Sequence, residues 1–147
     1  DLGHGTGKNM TNAFYWYQKA ALQGHLDAQY NTGMCYGKGD GVRKDYKKKF
    51  YWYKLAAEAG DAEAQNHVGY SYFYGEGTKK DYAKAIYWYQ KAAKANENKA
   101  QYNLGLCYKY GDGVKKSKRW ALYWFEKAQL NGHEQAARQL KEVIESM

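Results

Sequence analysis

Large apolar side chains recur along this 147-residue chain at a fixed step. Trp16, Trp52, Trp88 and Trp124 stand 36 residues apart, each inside an aromatic run such as Phe50-Tyr51-Trp52-Tyr53. Ala28, Ala64, Ala100 and Ala136 keep the same step, as do Gly5, Gly41, Gly77 and Gly113, and Lys8, Lys44, Lys80 and Lys116. Several registers sharing one period describe a tandem array of one structural unit rather than a single globular fold. Within a unit the spacing is helical. Ala28, Thr32 and Tyr36 share one face with Gly33 beside them, and Ala64, Val68, Tyr72 and Gly69 repeat the arrangement.

The pattern predicts two helices per unit. The second starts at Asn9, Asp45, Asp81 and Ser117, all able to accept hydrogen bonds from the free amides of a first turn. It ends at Gly24, Gly60, Asn96 and Gly132, the residue types that best take the left-handed conformation closing a helix. The first helix covers roughly 26–37, 62–74, 98–110 and 134–146, and the first three end at the glycine pairs Gly39/Gly41, Gly75/Gly77 and Gly111/Gly113. Residues 26–61, 62–97 and 98–133 are then full units in a single array. Residues 1–25 form the second half of an earlier unit, and 134–147 a terminal helix.

Rings spread around most of the second helix require neighbours on more than one side, which stacking supplies. Trp52 and its equivalents are therefore expected in the core, and the small residues Gly33 and Gly69 where helices approach closely. Lys49 occupies the place of Ala13, Ala85 and Ala121, and is expected to snorkel its stem to the surface. The expected fold is an all-α, right-handed α-solenoid.

Composition adds limits. Aromatics make up 18% of the residues, with 17 Tyr and 5 Trp, which excludes disorder, and the absence of proline favours helices. No run of about 18 apolar residues could span a membrane. The start, DLGHGTGKNM, shows neither a signal-peptide pattern nor an initiator Met, so an excised piece is expected. The net charge of +8 suggests anionic partners without choosing among nucleic acid, lipid headgroups and acidic proteins.

The runs AQYNLGLCYKYGDGV (100–114) and DYAKAIYWYQKAAKAN (81–96), with their copies, resemble the Sel-1-like repeat family, relatives of the tetratricopeptide repeats. The resemblance covers essentially the whole chain. Three departures stand out: Arg43, Lys79 and Lys115 replace a frequent proline, Lys118 replaces the Tyr of the Asp-Tyr pair, and Lys49 replaces Ala. The resemblance implies an adaptor or scaffold, of the kind found in endoplasmic-reticulum quality control, fungal cell-wall synthesis and bacterial signalling or host contact. Such repeats also accompany catalytic domains such as kinases. One bacterial branch bridges its helices with a cysteine pair in each repeat, which this chain cannot do.

Candidate chemistry is sparse. The segment GHGTGKN (3–9) mimics a phosphate-binding loop, but Leu2 and Asn9 stand where that loop needs Gly and Ser or Thr. It is also in register with the ordinary turn at 39–45. Cys35 and Cys107 are equivalent positions two units apart, too far for a disulfide, so a reducing, cytoplasmic compartment is expected. The endoplasmic-reticulum lumen or secretion stays open if a signal was removed. His4, His25, His67 and His133 show no metal-ligand spacing. No catalytic residue, cofactor, metal or small-molecule substrate is expected, and oligomeric state is left open.

Two surfaces remain. First helices line the concave side of helical-pair solenoids, and here they present Tyr30, Met34 and Lys38, then His67, Tyr70, Phe73 and Tyr74, then Tyr102, Leu106 and Tyr110. Asn66 stands in the same stripe, and Asn31, His67 and Asn103 flank it. An aromatic face with polar flanks suits a peptide or helix of another protein. The second surface is basic. Arg43, Lys44, Lys47 and Lys48, then Lys79 and Lys80, then Lys115, Lys116, Lys118 and Arg119 stack into a ridge, joined by Lys49 and Lys84. Twelve of the 23 cations thus share one phase of the repeat. The expected function is a non-enzymatic protein-interaction scaffold. The alternatives are an electrostatic binder of nucleic acid or anionic membrane through the ridge, with an acidic protein also possible there, and a regulatory segment of a larger signalling protein such as a kinase.

Overall fold

The computed structural model describes residues 7–147, with side chains from Asn9 onward. Its eight helices are α1 (Gly7–Leu22), α2 (Leu26–Lys38), α3 (Tyr46–Glu58), α4 (Ala62–Tyr74), α5 (Tyr82–Lys94), α6 (Asn98–Tyr110), α7 (Lys118–Leu130) and α8 (Ala136–Glu145). No strand occurs among the described residues. Each helix packs mainly on the helices before and after it in the chain, and first helices of successive units also meet through side chains, as in a solenoid. Residues 1–6, including His4 and most of the phosphate-loop mimic, lie outside the described residues.

The caps are where the residue types place them. Asp45 accepts from the Lys48 amide at 3.1 Å, Asp81 from the Lys84 amide at 3.1 Å, and Ser117 from the Trp120 amide at 3.2 Å. Each such bond is worth about 1 kcal/mol. Asn9 is the exception: α1 begins at Gly7, so Asn9 lies within its first turn, a helix start having shifted by a residue or two. Gly24, Gly60, Asn96 and Gly132 all hold positive φ just beyond the second helices, Asn96 being the single non-glycine to do so among the described residues.

A column of residues at the start of the first helices also caps. Asp61 accepts from the Glu63 and Ala64 amides, and Glu97 from those of Lys99 and Ala100. In the same column the His133 Nδ1 accepts from the Gln135 amide at 3.3 Å, while His25 makes no such bond.

Two glycine columns let the helices close up. A Cβ on Gly69 would stand 2.6 Å from the buried Tyr89 ring, and one on Gly105 2.6 Å from Phe125. Gly77, at φ +75°, lies against the Tyr46 carbonyl at the start of the preceding unit's second helix, so any side chain there would collide with backbone.

Trp52, Trp88 and Trp124 are 6%, 8% and 9% exposed, each contributing on the order of 3 kcal/mol by leaving water. Trp52 sits with Ala28 and Tyr36 of α2, the first helix of its own unit, and with Ala21 of α1 in the unit before. Trp16 has no equivalents of these two helices among the described residues and is 62% exposed, which corrects the expectation that all four tryptophans are core. A second correction concerns the rings around the second helix: Tyr51 and its equivalents point outward, uncovered.

Lys49 does more than snorkel. Its stem lies against Gly37, and its ammonium meets Glu76 of the next unit's turn at 2.8 Å.

Candidate functional site

The stripe on the first helices forms three columns one helical turn apart. The first holds Tyr30, Asn66 and Tyr102, and each is tied to the next unit by a side-chain hydrogen bond spanning 37 residues. Tyr30 and His67 share one of 3.3 Å, Asn103 donates to Asn66 at 3.0 Å, and Gln139 donates to Tyr102 at 3.4 Å. His67 also stacks on Tyr53, 4.6 Å between centroids and 12° from parallel, and His133 stacks on Tyr102 at 4.1 Å and 8°. Burial and the neighbouring Lys49 and Lys99 lower the His67 pKa to about 4, so the ring is neutral. Burial raises the Tyr30 phenol to about 12, helped by the nearby Glu63 carboxylate. Thus Tyr30, His67 and Tyr102, all part of the expected binding face, are engaged as rungs between units, and Tyr102 is buried.

A parallel ladder was equally hidden in the sequence. Gln65 donates to the Ala57 carbonyl at 3.1 Å and Gln101 to Ala93 at 3.0 Å, each tying a first helix to the end of the second helix before it.

The later columns open outward. Met34 and Leu106 are half-buried, while Tyr70 is 42%, Tyr74 62% and Tyr110 60% exposed; Lys38 is exposed as well. Tyr70 and Tyr74 lie 4.5 Å apart, and the half-buried Phe73 packs between Tyr74 and Tyr82. Between the C-terminal turns of α4 and α6, Phe73, Tyr74, Leu106 and Tyr110 surround a cleft of about 160 Å³. Tyr89 and Cys107 also line it, with Asn103 and Asp112 as the polar groups. A void of this size takes one benzene-sized group.

All ten residues of the expected ridge, from Arg43 to Arg119, are exposed. The ion pairs among the described residues use Lys49, Lys109 and Arg138, so the ridge is not neutralised by carboxylates. Four of its lysines lie on rings: Lys44 over Tyr46 at 5.4 Å, Lys80 over Tyr82 at 4.8 Å, Lys48 over Tyr36 at 5.6 Å and Lys84 over Tyr72 at 5.5 Å. In the last unit Trp120 takes the place of Lys48 and Lys84 and stacks on Tyr108.

Cys35 and Cys107 are buried free thiols, and burial pushes Cys107 up to about 12. Among the described residues no group of three or more His, Cys, Asp or Glu is gathered as metal ligands would be. No helix there is long and apolar enough to cross a membrane.

A Sel1 repeat family model matches residues 1–25, 26–61, 62–97 and 98–133. The chain belongs to the Sel1 repeat family. Among solved structures it is similar to c5321 of uropathogenic Escherichia coli, a protective antigen displaying an SLR fold, at 36% identity and TM-score 0.87 over 90% of this chain and 28% of that one. It also resembles a Sel1 repeat protein from Oxalobacter formigenes (39% identity, TM-score 0.85, 92% of this chain and 55% of that one). Helicobacter pylori cysteine rich protein B is a further likeness (27% identity, TM-score 0.72, 92% and 97%). The chain thus spans less than two thirds of the first two. No match is found among the curated proteins. Sel1 repeats generally mediate protein–protein interaction.

Proposed function

We propose that this Sel1 array is a non-enzymatic scaffold that holds a peptide or helix of a partner protein on its first-helix face, anchored in the cleft between α4 and α6. The observation that carries this is the exposure of Tyr74 and Tyr110 around an open cleft sized for one apolar side chain, with the exposed Tyr70 packed against Tyr74 beside it. Rings already packed on the fold present area at little entropic cost, and binding energy at interfaces concentrates in such central anchors. Asn103 and Asp112 at its edge supply polar groups that fix the ligand's direction.

Selection of displayed twelve-residue peptides tests the reading. Peptides sharing one large apolar residue are expected, and Tyr70, Tyr74 and Tyr110 changed together to Ala should weaken them by about 30-fold, the effect of losing a 2 kcal/mol hot spot. The thermal midpoint should hold, because these rings are exposed. Selected peptides that bind the triple variant as well as the parent would sink the proposal.

A further inference from the structure

The second helices carry a feature that neither the core nor the cleft uses. Tyr15, Tyr51, Tyr87 and Tyr123 occupy one repeat position and are 55%, 57%, 53% and 44% exposed. Single exposed rings are ordinary, but four in register form a patch. Each is set edge-on against the tryptophan that follows it, with centroids 5.0–5.5 Å apart, which fixes the ring and leaves a face open.

Cations adjoin the file at both ends. Lys47 and Lys48 lie one turn before Tyr51, Lys84 one turn before Tyr87, and Arg119 one turn before Tyr123, so ridge and rings share a helix face. One turn further on, Lys91 stands 5.3 Å from the Tyr87 ring and Lys127 5.3 Å from Tyr123. None of these joins an ion pair. On α7 the patch deepens into an open cleft of about 560 Å³ lined by Arg119, Trp120, Leu122, Tyr123 and the single acid Glu126, large enough for a planar base.

We infer that this second-helix face binds single-stranded RNA, with bases stacked on Tyr51, Tyr87 and Tyr123 and the phosphates following the basic ridge. Alternating flat rings and unpaired cations match stacked bases and their phosphates, the two terms that hold single strands. An acidic polypeptide would use the cations and leave the file of rings idle. A bilayer calls for apolar side chains free to insert, whereas these rings are pinned on helices. One ring per unit matches the stride by which helical-repeat RNA binders take one base per repeat. Tyrosine at all four positions, rather than Phe or Trp, sets a hydroxyl where the ribose 2′-OH, absent from DNA, can meet it.

Fluorescence anisotropy with the full chain tests this, using a labelled uridine 15-mer, the matching deoxythymidine 15-mer, a glutamate 15-mer and phosphatidylserine vesicles. Saturable binding of the uridine strand that weakens with salt is expected, the deoxythymidine strand binding several-fold less tightly. Tyr51, Tyr87 and Tyr123 changed together to Ala should cost at least about tenfold with an unchanged melting curve. The three changes to Phe should keep most of the affinity and lose the preference for RNA. Lys84→Glu with Arg119→Glu should flatten the salt dependence. No uridine binding at low salt, binding within twofold in the alanine triple, or equal or tighter binding of the deoxythymidine strand, the glutamate peptide or the vesicles would each overturn the inference.

Discussion

Along α2, α4 and α6 the early column and the late column behave oppositely, although both are read from sequence as one stripe. Tyr30, Asn66 and Tyr102 are closed into rungs with His67, Asn103 and Gln139 of the following unit. Lys38, Tyr74 and Tyr110, two turns later, stand in water. The difference teaches that one helix face is divided between holding the array together and meeting a partner. Polar rungs between units are costly to leave half-made, so they also fix the register in which units stack.

The largest expected effect separates the two columns directly. Tyr102→Ala removes a buried ring packed between Phe125 and His133 and orphans the Gln139 amide, and should cost about 3 kcal/mol in urea unfolding. Tyr74→Ala and Tyr110→Ala should each cost no more than about 0.5 kcal/mol. Equal losses in both columns would erase the division.

Next in size is an acid sensitivity built into the first rung. His67 faces Tyr30 from α2, Tyr53 and Lys49 from α3 and Lys99 from α6, with Glu63 and Glu76 as the nearby acids. Its folded pKa, about 4, lies below the value near 6.5 of an unfolded chain. Between those values the unfolded state binds more protons, so the histidine's contribution is complete above pH 6.5, falls as pH drops toward 4, and levels off below. The loss should approach about 3 kcal/mol. His67→Asn, which copies Asn31 and Asn103 of the same column, should remove that part of the pH dependence. A parent and variant whose stability falls in parallel from pH 6.5 to 4 would show that His67 is not the sensor.

The period, the caps and the close-packing glycines were legible because each is local: a residue type, a fixed offset and one backbone conformation. Ser117 differs in letter from Asp45 and Asp81 and agrees with them in chemistry, which is why the helix starts could be read from them. The rungs were not legible. They join residues 37 apart, one more than the period, and a single helix's periodicity carries no sign of that offset. Tyr102 and Tyr110 have the same spacing along the stripe, and only the helix that follows decides which is covered. Trp16 failed for the same reason, since burial at that position comes from the two helices packed before it, as α1 and α2 cover Trp52, and not from its own helix's sequence.

The smallest expected effect asks whether the open face can be lengthened by one unit. Gly37, Phe73 and Lys109 are equivalent positions, and so are Lys49, Ala85 and Ala121. Where the first column has glycine the second has lysine, and where the first has a large side chain the second has alanine. In the first full unit the Lys49 stem fills the space over Gly37, and its ammonium reaches Glu76. Lys49→Ala empties that space and breaks a half-buried ion pair, for about 1 kcal/mol. Gly37→Phe alone would push its Cβ to within 2.9 Å of the lysine stem. The two together recreate the pairing of Phe73 with Ala85, so the double variant should be more stable than the sum of the singles by about 1 kcal/mol. Strict additivity would mean that the exchange of sizes is coincidental. A favourable coupling would show that Lys49 stands in for a missing ring, and that the aromatic face begins at the second full unit because Gly37 leaves it no ring in the first.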